Sequence, residues 1–340
     1  MSYGESMKQL PLFFLTDVSH GGFVSYTAHL AKSLRSEGVD ARVYRRGKGG
    51  SFRKWSHGVM SATVPLEQMV GALRTAGAGV IVCGYWKSHA EELEALLSEG
   101  AAIVLHDPTE MSEPMMECIE RHQTQVVVIR RSNVDNVTQR GVSNVTLVPH
   151  PYVGEAAQHQ GKRPRRAVTI GRIDFDKNQE IVAGAFDALP VRVRMSCAMF
   201  GALNGICGHH HLDQVCPSWR GYWKGTFPKT STAPVRIAET ADYVVDMSAI
   251  SGDGGGTQYT FFEAWEAGAV LVVNSDWIRD GEEMKPGINC LSAGGSGELA
   301  GIIARKRDAA DWLALNRGAG ETMKQHAPRL IAPQFLKALT

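Results

Sequence analysis

The sequence has little net charge, no long hydrophobic run and no cysteine pattern typical of disulfide-stabilised proteins. It contains 36 lysines and arginines against 35 acidic residues, so binding to nucleic acid or to a membrane surface requires a local basic patch. The six cysteines show no disulfide-framework spacing, and the apolar stretch Leu10–Leu15 is too short for a signal peptide or a membrane span. We therefore expect a protein of the reducing cytoplasm, or of the host cytoplasm if it is viral.

Its length of 340 residues and its hydrophobic content of 44% predict two domains, each with its own core. In the first half, strand and helix patterns alternate, which predicts repeated βα units and a mostly parallel sheet, with ligands at the carboxyl ends of the strands. The predicted strands are Leu10–Leu15, Ala41–Tyr44, Val80–Cys83, Ala102–Leu105, Gln125–Ile129 and Val145–Val148. The predicted helices are Val24–Ser36, Ser88–Ser98 and Glu110–His122.

We predict that the first domain covers residues 1–153, and that the polar, basic stretch 154–166 is a linker. The second domain covers 167–325, and a C-terminal helix within 326–340 packs back on the first domain. The second series begins with strand Ala167–Ile170, helix Gln179–Leu189 and strand Val191–Phe200, followed by an irregular stretch to Arg220.

The most informative stretch is Ala241–Asp276, whose pattern is strand, glycine-rich loop, helix and strand. Glycines allow close approach of a ligand, and the N–H groups at the start of a helix favour an anion, so the loop predicts a phosphate site. Its residues are Gly254, Gly255, Gly256 and Thr257. Glu263, further along the helix, could reach the hydroxyls of an attached ribose, whereas a solvent-exposed loop and glutamate are the alternative interpretation.

Three further loops follow predicted strands. In the second domain, Arg172 and Lys177 can both point at the same anion as the glycine loop. In the first domain, Gly21 and Gly22 open a helix, directly after Asp17 and His20. His106 and Asp107 follow strand Ala102–Leu105, where a carboxylate could act as general base; the alternative for Asp107 is a helix cap.

These residues resemble a known family. Gly171, Arg172 and Lys177 look like the glycine–arginine–lysine turn of two-domain nucleotide-sugar glycosyltransferases of the GT-B fold, and Glu263–Val270 looks like their donor-binding helix and strand. The pair Gly21-Gly22 matches their N-terminal glycine loop. The resemblance implies two Rossmann-like domains facing across a cleft, a diphosphate held by Arg172, Lys177 and the loop Gly255–Thr257, and a ribose held by Glu263.

The sequence departs from the family at one position. The commonest retaining branch has a second glutamate eight residues before the ribose-binding one, and that position is Gly255 here, with Asp253 the nearest acid. The anomeric outcome of transfer is therefore left open.

A narrower resemblance is to bacteriophage enzymes that glucosylate hydroxymethylcytosine in DNA. They share this size, a strand that ends in a threonine–aspartate pair, and a phenylalanine–glycine strand end before a mobile loop. The counterparts here are His106-Asp107, Phe200-Gly201 and the segment Trp219–Gly225. The resemblance implies that Asp107 is the catalytic base.

A local basic patch is present in the first domain, and its candidate nucleic-acid-binding residues are Arg45, Arg46, Lys48, Arg53 and Lys54. Interleaved glycines and the aromatic residues Phe52 and Trp55 predict a flexible loop that grips phosphates and stacks on bases, with a solvated surface loop as the alternative. Cys207, His209, His210, His211 and Cys216 form a compact group, but their spacing fits no zinc motif, so we expect no metal there.

We therefore predict a glycosyltransferase that moves a sugar, a hexose such as the glucose of UDP-glucose, to a hydroxyl without a required metal. Asp107 is the predicted base, with His106, His20 and Asp17 as alternatives. The predicted acceptor is a 5-hydroxymethylpyrimidine in DNA; a lipid, protein or glycan hydroxyl is the alternative. A nucleotide-sugar binding protein or an epimerase of the same fold is the competing hypothesis.

Overall fold

The computed structural model describes residues 8–16, 21–159, 163–228, 230 and 232–339. The chain divides into two compact units. Unit 1 comprises Met1–Val153 and Gln325–Thr340, and unit 2 comprises Gly154–Lys324. Unit 1 contains a mostly parallel sheet and unit 2 a parallel sheet, each with helices, so the predicted α/β class with two Rossmann-like domains is confirmed.

Within the described residues, unit 1 contains an eight-stranded sheet of order β3-β4-β2-β1-β5-β6-β7-β8. Its strands are β1 (Gln9–Leu15), β2 (Asp40–Arg46), β3 (Arg53–Lys54), β4 (Met60–Val64), β5 (Val80–Gly84), β6 (Ala102–Leu105), β7 (Val126–Val128) and β8 (Val145–Leu147). Only β3 is antiparallel to its neighbour. The central β1 is buried at every position after Gln9, as expected of an apolar strand covered on both faces.

Unit 2 contains, in its described part, a five-stranded parallel sheet of order β10-β9-β11-β12-β13. Its strands are β9 (Arg165–Ile170), β10 (Cys197–Phe200), β11 (Ala241–Asp246), β12 (Val270–Asn274) and β13 (Leu291–Ala293). Because all five run in the same direction, the loops that follow β9, β11 and β12 lie side by side at one edge.

Helices complete both units. In chain order they are α1 (Gly22–Ser36), α2 (Leu66–Ala76), α3 (Trp86–Ser98), α4 (Glu113–Arg121), α5 (Arg131–Thr138), α6 (Gln179–Asp187), α7 (Val191–Arg194), α8 (Gly205–Cys207), α9 (Asp213–Val215), α10 (Trp219–Tyr222), α11 (Ala233–Ala238), α12 (Tyr259–Glu266), α13 (Ser296–Ala304), α14 (Ala309–Gln325) and α15 (Pro328–Ala338). In unit 1, α15 packs against α1. None of the helices in the described ranges is both long and apolar enough to cross a membrane.

Two parts of the predicted secondary structure are wrong. The strand predicted over Val191–Phe200 is a helical turn, α7, followed by the shorter β10, because the alternating valines and arginines mimic strand periodicity while Val191 and Met195 are 60% and 81% exposed. The stretch before Arg220 is not irregular but contains α8, a π-helix at Gly208–Leu212 and α9.

The sequence analysis also places no element between Tyr44 and Val80, where the structure has β3, β4 and α2. The described residues of the predicted linker belong to unit 2, where Arg163 donates to the backbone oxygens of Ala238, Ala241 and Ala267. The strand β9 begins at Arg165, inside the predicted linker range.

Candidate active site

The edge of the unit 2 sheet holds the predicted cations. Arg172 and Lys177 lie in the turn after β9, and the chain after β11 contacts that turn through the Ala249 N–H, which donates to Asp176 O over 3.0 Å. Asn178 adopts a left-handed conformation with φ of 46° and its side chain donates to Met247 O over 2.8 Å. The structure therefore brings the turn after β9 against the loop after β11.

The two cations differ in their environment. The Arg172 guanidinium is 59% exposed and pairs with Asp174 at 2.7 Å and with Asp176 at 3.5 Å. The Lys177 side chain is only 17% exposed, and its Nζ donates to Ser248 Oγ over 2.7 Å. Lys177 is thus held in one position, whereas Arg172 is open to solvent and can reorient.

The partner of Lys177 is itself fixed by the end of β11. The backbone N–H of Ser248 donates to Asp246 Oδ1 over 3.0 Å, and its hydroxyl donates to the same oxygen. Asp246 and Ser248 are both buried. Neither residue is among the predicted site residues, although a carboxylate at the carboxyl end of a strand is the signal that could have found them.

The predicted phosphate loop is covered by the segment that follows β12, residues 277–284. Gly255 donates to Trp277 O, and Trp277 Nε1 donates to Gly256 O over 2.7 Å. Gly255 has a φ of 81°, and a Cβ there would lie 2.4 Å from Glu282 Cγ. Glycine is therefore required at this position by the chain itself, whether or not a ligand approaches.

A carboxylate already contacts this loop. The Thr257 N–H, one of the groups predicted to face a phosphate, donates to Glu283 Oε2 over 2.9 Å. Gly254, with φ of 142°, leaves room beside it for Trp277 O and the Arg279 guanidinium. Glu283 is 26 residues away from Thr257, so no local pattern could have found it.

Glu263 lies on α12 with its side chain partly exposed. Desolvation by the surrounding protein, with a smaller contribution from the nearby Glu266 carboxylate, raises the pKa of Glu263 to about 8. Glu263 is therefore largely protonated at neutral pH, and hydrogen bonds donated by a ligand's hydroxyls would favour its ionised form.

The phenylalanine–glycine end of β10 packs against the turn that carries Arg172. A Cβ at Gly201 would lie 1.5 Å from Gly171 O, and the Gly171 N–H donates to Phe200 O over 2.9 Å. The segment predicted to close a loop lies alongside, since Trp223 Nε1 donates to Gly201 O over 3.0 Å. A side chain at position 201 would displace the Arg172 turn.

In unit 1, His106 and Asp107 directly follow β6. Asp107 is partly exposed and caps the 3-10 helix Pro108–Glu110, with Oδ1 accepting from the Thr109 N–H over 2.8 Å. The cap that the sequence analysis offers as an alternative role is therefore present. A capping carboxylate keeps further lone pairs, so capping does not exclude a role in catalysis.

His106 is buried and tethered at several points. Its Nδ1 lies 3.1 Å from Glu110 Oε2, which also accepts from its backbone N–H over 2.6 Å. Its carbonyl accepts from Arg130 at 2.9 Å and from Asn133 at 2.8 Å. Burial raises the pKa of the Glu110 carboxyl. The sequence analysis misses Glu110, which the spacing of four residues from His106 could have suggested.

Of the predicted residues in the loop after β1, Gly21 and Gly22 lie within the described residues. Gly21 and Gly22 begin α1, with φ of 98° at Gly21, and both are exposed. His20 and Asp17, the alternative bases, lie outside the described residues.

Four of the five candidate residues of the basic patch lie in strands, and Lys48 lies in the loop at residues 47–52 that joins them. Arg45 and Arg46 lie in β2, and Arg53 and Lys54 form β3. Arg46 forms an ion pair with Glu92. Arg45 lies over the Trp55 ring at 5.8 Å, and that ring packs edge-on against Phe14. Lys48, Arg53 and Lys54 are exposed.

Three of the five cysteines and histidines considered for a metal have separate neighbours. His209 lies near Asp213, His211 near Glu180, and Cys216 near Asp187 and Ser218. Cys207 is buried. In the part of the chain that is described, these residues do not form a group of three with converging ligand atoms.

Comparison with known proteins adds information on the fold. No protein-family model matches the chain, and no curated protein matches its sequence. Solved structures do match. HepE of Anabaena in complex with UDP is 15% identical, with a TM-score of 0.68, over 97% of this chain and 99% of that one. An alpha-glucosyltransferase in complex with UDP-glucose and DNA containing an abasic site is 11% identical, with a TM-score of 0.73, over 97% and 99%.

A third similar structure is the pneumococcal O-GlcNAc transferase GtfA in complex with UDP and GlcNAc, which is 8% identical with a TM-score of 0.66, over 98% of this chain and 99% of that one. At these identities the similarity concerns the fold. The resemblance predicted from the sequence motifs is confirmed at that level, and the chain has the fold of the GT-B glycosyltransferases.

Proposed function

We propose that the protein is a glycosyltransferase that takes a sugar from a nucleotide diphosphate donor, best represented by UDP-glucose. The observation that carries the proposal is the pair of cations Arg172 and Lys177 at the carboxyl edge of the unit 2 sheet, where open α/β sheets bind ligands. The similar structures contain UDP or UDP-glucose, which supports the choice of nucleotide.

The two cations have complementary roles in this proposal. Lys177, fixed by Ser248 and Asp246, provides a positioned charge, and the exposed Arg172 exchanges its aspartate partners for a diphosphate oxygen. Both stabilise the negative charge that develops on the leaving diphosphate as the bond to the sugar breaks. Glu263 accepts hydrogen bonds from the ribose hydroxyls.

Asp107 is the proposed general base. It takes the proton of the acceptor hydroxyl as that oxygen attacks the anomeric carbon. The tethers on His106, from Glu110, Arg130 and Asn133, fix the turn that presents Asp107. We therefore assign His106 to positioning, and Asp107 to proton transfer.

The proposed acceptor is a 5-hydroxymethylpyrimidine base in DNA, such as hydroxymethylcytosine. The exposed cations Lys48, Arg53 and Lys54 support phosphate contacts, and one similar structure is a complex with DNA. A target base within a duplex has to be extruded to reach a catalytic residue. Lipid, protein and glycan hydroxyls are the competing acceptors.

The test has two stages that separate the donor from the acceptor. A thermal-shift panel of UDP-, GDP- and ADP-sugars identifies the donor, and UDP-glucose is expected to give the largest shift. Transfer is then measured by nucleoside mass spectrometry on DNA that contains hydroxymethylcytosine or hydroxymethyluracil, with unmodified DNA as control. Glycosylated nucleoside is the expected product. If the donor is hydrolysed but no glycosylated nucleoside forms, the DNA acceptor is contradicted and the glycosyltransferase assignment is not. If the donor binds without any turnover, the hypothesis of a nucleotide-sugar binding protein is supported.

A further inference from the structure

Three potential metal ligands of different chemistry converge between α3 and α4 of unit 1. They are Glu94 on α3, Cys118 on α4 and His122 at the C-terminal cap of α4. Their ligand atoms all lie within 4.8 Å of one another. Cys118 and His122 are four residues apart, so a helix presents both on the same face.

We propose that Glu94, Cys118 and His122 bind a thiophilic divalent cation, with Zn²⁺ as the best fit and water as the fourth ligand. A thiolate, an imidazole and a carboxylate are each ordinary ligands of Zn²⁺, and a tetrahedral site with three protein ligands leaves one open position. This inference does not depend on the proposed glycosyl transfer.

The distances between the ligands are close to those of a metal site. Cys118 Sγ lies 3.1 Å from Glu94 Oε2, and His122 Nε2 lies 2.7 Å from Glu94 Oε1. Cys118 and His122 thus contact different oxygens of Glu94, and with ordinary zinc–ligand bond lengths the S–O and N–O edges of a tetrahedron are about 3.6 Å and 3.4 Å. The ligands therefore have to separate by roughly half an ångström, which the partly exposed Glu94 side chain can provide by rotating.

Binding of the cation replaces the proton of the Cys118 thiol, so the S–H bond breaks and that proton is released to solvent. Glu94 contributes a carboxylate oxygen to the site, and His122 contributes an imidazole nitrogen.

One neighbouring charge opposes the cation. Arg121 Nη1 lies 2.9 Å from Glu94 Oε1, and the Arg121 side chain is 56% exposed. Because this guanidinium competes for the same carboxylate, removing it should tighten metal binding. An increase in metal affinity in Arg121→Ala is therefore expected of a metal site, and it is not expected if the three side chains only form hydrogen bonds.

The experiment titrates untagged, metal-free protein with Co²⁺ and follows the thiolate-to-cobalt absorption in the near ultraviolet, and then measures Zn²⁺ affinity by competition with a chromophoric chelator. We expect one ion per chain by native mass spectrometry, a thiolate band and an increase in Tm with Zn²⁺. Arg121→Ala should bind several-fold more tightly. Cys207→Ser, which changes a buried thiol outside the group, is the matched control and should leave binding unchanged.

Cys118→Ser and His122→Ala should each lower the affinity for Zn²⁺ by at least tenfold. Cys118→Ser should also abolish the thiolate-to-cobalt absorption band. If Cys118→Ser does not fold, His122→Ala still tests the site, because that ring is 20% exposed and its loss leaves the helix core intact. Absence of the thiolate band in the wild-type protein overturns the proposal. So does Zn²⁺ affinity that His122→Ala leaves unchanged, because the ion then lies elsewhere.

Discussion

Glu263 is the residue whose environment gives the sharpest signature of donor binding. Its pKa of about 8 leaves it mostly protonated at pH 7, and ribose hydroxyls that donate to it would favour the carboxylate. Binding of UDP-glucose at pH 7 should therefore release close to one proton, and affinity should rise as pH increases from 6 to 8, by up to about tenfold per pH unit. The diphosphate of UDP-glucose does not titrate in this window.

Calorimetry in two buffers of different ionisation enthalpy measures this proton release. In Glu263→Gln the proton release should disappear, and the affinity for UDP-glucose should become independent of pH. Glu266→Gln removes a neighbouring negative charge, so it should move the midpoint of the pH dependence to lower pH. The native protein also binds more protons than the unfolded chain between the ordinary glutamate pKa and about 8, so this residue makes stability fall as pH rises through that window. A pH-independent affinity in the wild-type protein contradicts ribose binding by Glu263.

The proposed role of Asp107 as general base is also tested by substitution of a single residue. Asparagine keeps the ability to cap the 3-10 helix, so Asp107→Asn should fold normally and bind donor as the wild-type protein does. Loss of a general base should reduce the rate of transfer by about 10²–10⁴-fold. Single-turnover transfer and donor affinity separate the two effects. His106→Gln, which disturbs only positioning, should cost less, and a larger loss there than at Asp107 would transfer the role of base to His106.

At the scale of the element, the segment after β12 contacts the glycine loop. The Glu283 carboxylate accepts from the Thr257 N–H, a group that the diphosphate is predicted to use. Two anions repel each other at one donor, so Glu283→Gln should increase the affinity for UDP-glucose, by about tenfold. Glu282→Gln changes the net charge equally at the adjacent position and should have a smaller effect. If both variants increase the affinity for UDP-glucose to the same degree, the cause is the loss of one negative charge. Competition between Glu283 and the diphosphate for the Thr257 N–H is then contradicted.

At the scale of the whole molecule, the near-zero net charge means that DNA binding must depend on a few local cations. Changing Lys48, Arg53 and Lys54 together to Ala should weaken DNA binding and reduce the dependence of log K on log salt by about one unit per phosphate contact. A matched change of the exposed Arg192, Arg305 and Lys306 in unit 2 controls for total charge. Fluorescence anisotropy over a salt series measures both slopes. Equal slopes in the two triple variants contradict the basic patch as the DNA contact.

Much of the fold could be predicted from the sequence, since it depends on short-range patterns. Buried parallel strands appear as apolar runs such as Leu10–Leu15 and Val270–Val273, and glycine-containing turns follow them in the order of the GT-B motifs. Where the local pattern was ambiguous, as in Val191–Phe200, the prediction is wrong, because alternation alone cannot distinguish a half-buried strand from an exposed helical turn.

The amino-acid sequence by itself determined the α/β class, the position of the glycine loop between a strand and a helix, and the strand-end position of Asp107. Only the tertiary structure decided which side chains meet: Glu283 with Thr257, Lys177 with Ser248, Glu92 with Arg46, and Glu94 with Cys118 and His122. Periodicity and turn chemistry act over a few residues, whereas these pairs are separated by 24 to 71 residues. Their distances depend on strand order and helix packing, which bring remote segments to the same edge of a sheet or to the contact between two helices.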